Sequence, residues 1–237
     1  MDLTREEEDH LDGKHGEASS IAYNILWSVG QLTEAERLID ISSAHVSGVA
    51  FNTIGEAGLK FLSKISESGR FSVPTTVNPT GMDLDKWRTL GIAPAYAKKQ
   101  QTIVDAYTRL GAIPSFTCLP YEGLNLPKKG SHVSWAETSA AIYANSILGL
   151  KTNRESALTA LASAISGKVP FSDIHKSDAP KPSIVISVNP ELSGTLDYGL
   201  LGYFAGKTAK EGPIAFEGIR SLKNDEAKSL SAGIGTS

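Results

Sequence analysis

The sequence contains a single cysteine, Cys118, among 237 residues. One thiol excludes an internal disulfide framework, and by itself it cannot complete a metal site built from protein ligands alone. Cys118 lies among Pro, Gly, Asn and His residues ahead of a predicted helix. From this local pattern alone it is either a metal ligand or a small buried hydrophobic residue.

Long apolar stretches and blocks of one charge sign are also missing. The longest apolar runs are far shorter than the roughly 20 residues that a membrane span needs. The formal net charge is −3 and 21% of the residues are charged, without a long block of one sign. This pattern predicts neither a nucleic-acid surface nor a membrane surface. The acidic start, TREEED, is unlike a signal peptide, so we expect a cytoplasmic protein.

The motifs of several enzyme classes are missing as well. We find no convincing Ser–His–Asp arrangement, phosphate loop, dinucleotide fingerprint or zinc-ligand spacing. The sequence therefore favours none of the corresponding classes of enzyme.

Helical and strand patterns alternate along the chain, which predicts an α/β fold with a mainly parallel sheet. Strands are predicted at residues 38–41 and 71–76 and just before Cys118, and residues 42–49 are predicted to connect the first strand to a helix. Apolar residues at helical spacing predict the helices. They are centred on residues 21–30, 53–65, 103–110 and 158–165, with Gly111 and Gly167 ending the last two.

Three pairs of the form S/T-x-x-E predict helix starts with capping boxes. They are Thr4 with Glu7, Ser134 with Glu137, and Thr152 with Glu155. The second of these helices is expected to end at Gly149, and Asp83 is expected to cap a short helix that reaches Leu90. The helix start after Cys118 would favour a thiolate, carboxylate or phosphate by roughly 0.3–1 kcal/mol.

A polar segment with three prolines, residues 169–182, predicts a boundary between two units. The domain at residues 1–180 is expected to be an α/β layer structure, and residues 181–237 are expected to begin a second lobe that the chain does not complete. Within this lobe, residues 183–188 are a predicted buried strand. Residues 198–207 are a glycine-interrupted helix that packs closely on a neighbour.

Five blocks of sequence resemble the aconitase X family, in the same order as in that family. They are HVSGVAFNTIGEAGLKFL (residues 45–62), VPTTVNPTGMDLDKW (73–87), FTCLPY (116–121), GSHVSWAETSAAIYANSILGLKTNRES (130–156) and LDYGLLGYFAGK (196–207). Several long blocks in order are much more specific than one short motif. The resemblance implies an aconitase-like layered α/β fold.

The resemblance also implies a hydro-lyase with a large and a small subunit and an iron–sulfur cluster, expected to be [4Fe-4S]. Family members dehydrate either 5-phosphomevalonate in a modified mevalonate pathway or cis-3-hydroxyproline. The compact start and the lack of a fused small-subunit segment favour the large subunit of the phosphomevalonate enzyme. In the family the general base is attributed to the small subunit's side of the site, so the catalytic base is unknown here.

By the same resemblance, Cys118 matches the first of three cluster cysteines, and the other two lie beyond the end of this chain. Three thiolates leave one iron open as a Lewis acid toward the departing hydroxyl. The substrate-contacting positions are Gly48, Val49 and Ala50 on a first loop, Asn78 and Pro79 on a second, and Glu137, Thr138 and Ser139 at a helix start. Each alone has a structural alternative, because residues 78–81 also fit a simple turn and Glu137 also fits a capping carboxylate.

Other polar residues carry weaker predictions. His45 and His132 are either donors near the site or buried histidines, and Arg154 is either an anion clamp or a salt-bridge partner. The remaining histidines lie in polar sequence and are expected to play no chemical part. Tyr121, Trp135 and Tyr143 are predicted to be packing residues.

Two interpretations of the whole chain stay open. It is the front part of a cluster-dependent dehydratase large subunit, or it is a cluster-free remnant that binds a partner or an anionic metabolite. The ending resembles an interruption at a Gly-rich turn, which favours the first. That interpretation predicts exposed apolar surface after about residue 183.

Overall fold

The computed structural model describes residues 1–176, 181–209, 212–219 and 221–237. The helices are α1 (Arg5–Leu11), α2 (Glu17–Leu32), α3 (Phe51–Ser68), α4 (Pro94–Leu110), α5 (Thr138–Tyr143), α6 (Ala157–Ser166), α7 (Gly194–Ala209) and α8 (Asn224–Gly235). The strands are β1 (Leu38–Asp40), β2 (Ala44–Val46), β3 (Thr75–Val77), β4 (Ser134–Trp135), β5 (Lys168–Pro170), β6 (Ile184–Ser187) and β7 (Ile214–Glu217). A π-helical segment, Ala144–Leu148, continues α5, and a 3₁₀ segment spans Asp173–Lys176.

The centre of the fold is a parallel three-stranded sheet in the order β3-β2-β4. Ala44 pairs with Thr75 on one side and with Ser134 on the other. Every residue of these strands is buried. Val46 of β2 and Val77 of β3 belong to one apolar core with residues of α3, α4 and α6, whereas Trp135 of β4 belongs to a second apolar cluster with Tyr121 and Tyr143. The predicted α/β fold with a parallel sheet is confirmed. The prediction that residues 42–49 only connect two elements is wrong, because they contain the central strand.

A second, antiparallel pair, β1 and β5, lies at the end of α6 and joins Leu38 to Pro170. The strand predicted at residues 38–41 is therefore confirmed. The helix ends were also predicted well, since Gly111, Gly149 and Gly167 all adopt the left-handed conformation that follows a helix.

Residues 181–237 add a parallel pair, β6 and β7, with α7 and α8 packed together. The two helices approach closely at glycines: a Cβ atom on Gly202 would lie 2.3 Å from the Leu230 carbonyl oxygen. The predicted glycine-interrupted helix is confirmed. Helix α8 also packs on α5, and its Lys228 pairs with Glu122 of the first unit.

Apolar side chains of this second part are exposed, as the interpretation of an incomplete lobe predicts. The strand predicted at residues 183–188 is present as β6, but the prediction that it is buried is wrong, because its residues alternate between half-buried and exposed. They are Val185, Leu196, Leu200, Tyr203 and Phe204. Among the described residues, no helix is long and apolar enough to cross a membrane.

Two of the three predicted capping boxes are wrong. Thr4 and Glu7 do form one, with the Thr4 N–H donating to Glu7 Oε2 at 2.8 Å. Ser134 instead belongs to strand β4, where pairing with β2 overrides the local helix signal. The third helix begins later, with Ser156 as its cap in place of Thr152.

Three further local predictions need correction. The strand predicted at residues 71–76 is shifted to Thr75–Val77. Asp83 accepts hydrogen bonds from the N–H groups of Asp85 and Lys86 as predicted, but the segment that follows is a series of turns. Among the residues that the structure describes, no strand leads into Cys118, although Ile113 makes an isolated parallel bridge to Thr76.

Candidate active site

Three loops meet at the carboxyl edge of the central sheet, where ligands commonly bind in α/β proteins. Residues 47–50 follow β2, residues 78–81 follow β3, and residues 136–137 follow β4. Because β2 lies between the other two strands, its loop is flanked by theirs. The two outer loops are also joined directly, through a side-chain hydrogen bond between Asn78 and Glu137.

A continuous chain of side-chain hydrogen bonds runs across this edge. His45 Nδ1 lies 2.8 Å from Thr76 Oγ1, and His45 Nε2 lies 2.6 Å from Asn78 Oδ1. The other end of the Asn78 amide donates to Glu137 Oε2 at 3.0 Å. The hydroxyl of Ser139 donates to Glu137 Oε1 at 3.3 Å. Both oxygens of the Glu137 carboxylate therefore have donors.

Cys118 lies beside Glu137. Burial of the thiol raises its pKa above the ordinary value, and the negative charge of Glu137 raises the pKa further. The sulfur is only partly buried. The thiol is therefore protonated at neutral pH, and it becomes a metal ligand only by releasing that proton.

The segment that carries Cys118 is fixed to the end of β3 by hydrogen bonds. The Ser115 hydroxyl accepts from the Val77 N–H and donates to the Val77 carbonyl, both at 2.9 Å. The Thr117 N–H also donates to the Val77 carbonyl, at 3.2 Å. These bonds hold the segment in place without a strand ladder.

The first loop offers backbone donors. Gly48 has a φ of 81°, which favours glycine, and a Cβ atom there would lie 3.2 Å from the side chain of Ala157. Within the described part of the chain, the N–H groups of Gly48, Val49 and Ala50 donate no hydrogen bond. Gly48 and Ala50 are partly exposed at this end of the sheet, where their N–H groups are accessible to an anionic ligand, whereas Val49 is buried.

Gln100 of helix α4, which sequence reasoning missed, joins the first two loops. Its Nε2 donates to the Val49 carbonyl at 2.8 Å, and its Oε1 accepts from the N–H groups of Phe51 at 2.9 Å and Gly81 at 3.1 Å. The side chain is fully buried. The sequence did contain one signal: Gln100 is a polar residue on the apolar helical stripe of Ile103, Val104 and Tyr107, which indicates a buried side chain with hydrogen-bond partners.

The structure therefore brings most of the predicted site residues together. Cys118, Asn78, Glu137 and Ser139 form one group, with Thr138 beside it in the chain. Gly48, Val49 and Ala50 lie next to this group at the end of β2, and Pro79 follows Asn78. Their roles stay predictions. Among the described residues, no group of three or more His, Cys, Asp or Glu is placed to hold a metal ion, so Cys118 fits a cluster only as one ligand among several.

Other polar residues that the sequence singled out lie elsewhere. Arg154 is exposed and lines a cavity of about 800 Å³ between α5 and the second part of the chain. His132 Nδ1 lies 2.9 Å from His175 Nδ1. His175 is fully buried, so its predicted polar surroundings are wrong. Tyr121, Trp135 and Tyr143 are buried and stacked, as predicted for packing residues.

The fold is shared with a solved α/β protein of a known family. The chain matches the crystal structure of Thermococcus kodakaraensis aconitase X in its holo-form with a TM-score of 0.91 and 38% sequence identity, over 99% of this chain and 59% of that one. The family model of the aconitase X first domain matches residues 1–178, and that of the second domain matches residues 182–237. The chain belongs to the aconitase X family.

The curated relatives include two kinds of dehydratase. The phosphomevalonate dehydratase large subunit of Methanocaldococcus jannaschii is 45% identical over 100% of this chain and 61% of that protein. The corresponding subunit of Methanothermobacter thermautotrophicus is 44% identical over 99% of this chain and 59% of that protein. The cis-3-hydroxy-L-proline dehydratase of Pseudomonas aeruginosa is 34% identical over 96% of this chain and 40% of that protein. The chain thus spans about 60% of the length of the first two relatives.

Proposed function

We propose that this chain is part of the large subunit of a cytoplasmic, iron–sulfur-dependent hydro-lyase. Its substrate is (R)-5-phosphomevalonate, which it dehydrates to an anhydromevalonate phosphate in a modified mevalonate pathway, together with a small subunit. The observation that carries the proposal is the grouping of Cys118, Glu137 and Asn78 at the carboxyl edge of the sheet. The identity of 45% to a phosphomevalonate dehydratase large subunit supports it.

The residues of this chain have two proposed roles, cluster binding and substrate binding. Cys118 would supply one thiolate to a [4Fe-4S] cluster, and the other two cysteine ligands would come from outside this chain. When bound, such a cluster supplies a Lewis-acid iron for the departing hydroxyl. Because the Cys118 thiol is held protonated, loading the cluster releases a proton and becomes more favourable as the pH rises.

The surrounding loops bind and orient the substrate. The N–H groups of Gly48, Val49 and Ala50 donate hydrogen bonds to an anionic group of the substrate. Asn78 and Glu137 present amide and carboxylate groups to the hydroxyl groups of the substrate. The backbone at Pro79, Thr138 and Ser139 lines the substrate-binding site. Glu137 is held by two donors, at 3.0 and 3.3 Å, so its carboxylate has a fixed orientation.

Dehydration of cis-3-hydroxy-L-proline is the second candidate function. The two cis-3-hydroxy-L-proline dehydratases compared are only 31% and 34% identical to this chain. A cluster-free binding remnant is the third. A hybrid enzyme separates the three. The matching front part of the Methanocaldococcus jannaschii large subunit is replaced by this chain and co-expressed with the small subunit. Iron, sulfide and turnover of both hydroxy acids are then measured.

We expect the hybrid to retain a cluster and to dehydrate only 5-phosphomevalonate. Cys118→Ser should abolish both the cluster and turnover, because serine supplies no thiolate. Ser28→Ala, which changes an exposed hydroxyl on α2, should alter neither. If the hybrid turned over only cis-3-hydroxy-L-proline, that compound would be the substrate in place of 5-phosphomevalonate. A folded hybrid with neither cluster nor turnover would favour the interpretation of the chain as a cluster-free binding remnant.

A further inference from the structure

His45 occupies a position in the chain of hydrogen bonds that the substrate-contacting residues do not explain. Its ring is fully buried in the central strand β2. Its two nitrogens bond to side chains on the neighbouring strand and loop, Thr76 and Asn78. A histidine with both ring nitrogens in such contacts is fixed in position and in tautomer.

The donors and acceptors along the chain can be assigned in only one way. Glu137 Oε2 is an acceptor, so the Asn78 amide must turn its Nδ2 toward Glu137. The Asn78 Oδ1 then faces His45 Nε2 at 2.6 Å, so Nε2 must carry a proton. The opposite orientation of the amide would place Oδ1 against a carboxylate oxygen.

The other side of the ring agrees with this assignment. Asn125 Nδ2, which can only donate, lies 3.0 Å from Thr76 Oγ1. The Thr76 hydroxyl therefore accepts from Asn125 and gives its own proton to His45 Nδ1 at 2.8 Å, since its alternative acceptor, the Ala44 carbonyl, is 3.5 Å away. All the bonds run in one direction, from Asn125 through Thr76, His45 and Asn78.

We propose that His45 is a positioning residue: as the Nε2–H tautomer, it orients the Asn78 amide, which in turn holds the Glu137 carboxylate beside Cys118. The inference deepens the proposed function and rests on it for the catalytic importance of Glu137. The ring takes no part as an acid or base. Burial lowers the pKa of His45 to about 4, although Asn78 and Glu137 act in the opposite direction.

The tautomer can be observed directly by NMR of the 237-residue chain with ¹⁵N-labelled histidine. We expect His45 to show a protonated Nε2 and an unprotonated Nδ1, unchanged from pH 8 down to about pH 5.5. A protonated Nδ1, or a doubly protonated ring within that range, would overturn the proposal.

The positioning role is tested through the Cys118 thiol. The pH profile of its alkylation by iodoacetamide reports the thiol pKa, which burial raises and Glu137 raises further. His45→Phe removes both ring hydrogen bonds, so the Asn78 amide loses its fixed orientation, Glu137 keeps only the Ser139 hydroxyl as a fixed donor, and the profile should shift to lower pH. His45→Gln retains an N–H donor near the Nε2 position and should restore the parent profile. Should His45→Phe fail to fold, His45→Asn, which lacks that donor, takes its place.

His175→Phe is the matched control. It also replaces a fully buried histidine, but His175 contacts no member of this chain of hydrogen bonds. It should leave the alkylation profile unchanged. Equal shifts in the two Phe variants, or no shift in any His45 variant, would reduce His45 to a packing residue. The two proposals can fail separately. If His45 shows the expected tautomer and His45→Phe shifts the Cys118 alkylation profile as expected, but the hybrid enzyme does not dehydrate 5-phosphomevalonate, only the proposed function is overturned.

Discussion

The two parts of the molecule differ in how completely they bury their apolar surface. In residues 1–176, every residue of strands β2, β3 and β4 is buried, β2 and β3 in one apolar core and β4 in a second apolar cluster. In residues 181–237, by contrast, the β6 and β7 pair is half exposed, and α7 presents a row of apolar side chains to solvent. The candidate site is at the edge of the well-packed part, where a polar network can be held rigidly.

The second part nevertheless affects the site. Helix α8 packs on α5, and a Cβ atom on Gly235 would lie 3.2 Å from the Thr138 side chain and 3.5 Å from the Ser139 N–H. The start of α5 carries three predicted substrate-contacting residues. The better packed part thus provides the hydrogen-bonded residues, and the less packed part closes one side of them.

The largest difference between the two parts is expected in how much stability each loses in acid, because all five histidines lie in residues 1–176. Burial lowers the pKa of His45 to about 4 and that of His175 to about 3, where the facing His132 and Lys151 add to the effect. Both pKa values are below that of an unfolded histidine, about 6.5. Their stabilising contribution is therefore complete above pH 6.5 and is lost as the pH falls toward 4 or 3.

This loss should reach roughly 2–3 kcal/mol for each histidine at pH 4 relative to pH 7. Urea unfolding at a series of pH values measures it. In His175→Phe, the free energy of unfolding should depend less on pH, by the amount expected for one histidine. This difference separates the histidine effect from the titration of carboxylates. An unchanged slope in that variant would show that His175 is not buried in its neutral form.

A smaller effect is expected at the contact between α7 and α8. Gly202→Ala places a Cβ atom 2.3 Å from a backbone oxygen of α8, so the helices must separate at a cost of about 1–3 kcal/mol. Limited proteolysis should then cut residues 181–237 faster and leave the first part intact. The control is Gly199→Ala on the same helix, where the nearest atom would be 3.9 Å away and the better helix propensity of alanine gains about 0.5–1 kcal/mol.

How much of this could be predicted from sequence depends on whether local pattern or tertiary pairing decides. Helix ends were predictable, because Gly111, Gly149 and Gly167 act within one turn of their own helix. Strand β2 was not, since three buried residues with a histidine in the middle show no alternation. At Ser134, a local capping pattern lost to pairing with β2.

The candidate site shows the same limit. Its residues Cys118, Asn78 and Glu137 could be named through resemblance to a family, but their mutual contacts could not be inferred from spacing. Gln100 was missed because it lies 19 residues from Gly81 and 49 from Phe51, so its hydrogen bonds exist only once the loops and α4 have packed. The direction of the hydrogen bonds through His45 likewise follows only from the distances.

The smallest effect is expected from Leu200→Ala, and it tests the comparison between the two parts most directly. Leu200 is 61% exposed on α7, so its truncation should change the free energy of unfolding by no more than about 0.5 kcal/mol. The same substitution at Leu26, which is 0% exposed in the first core, should cost about 3 kcal/mol. Urea unfolding followed by circular dichroism measures both. Equal losses would mean that the α7 face is covered in solution, because a leucine contributes to stability through the apolar area that it removes from water.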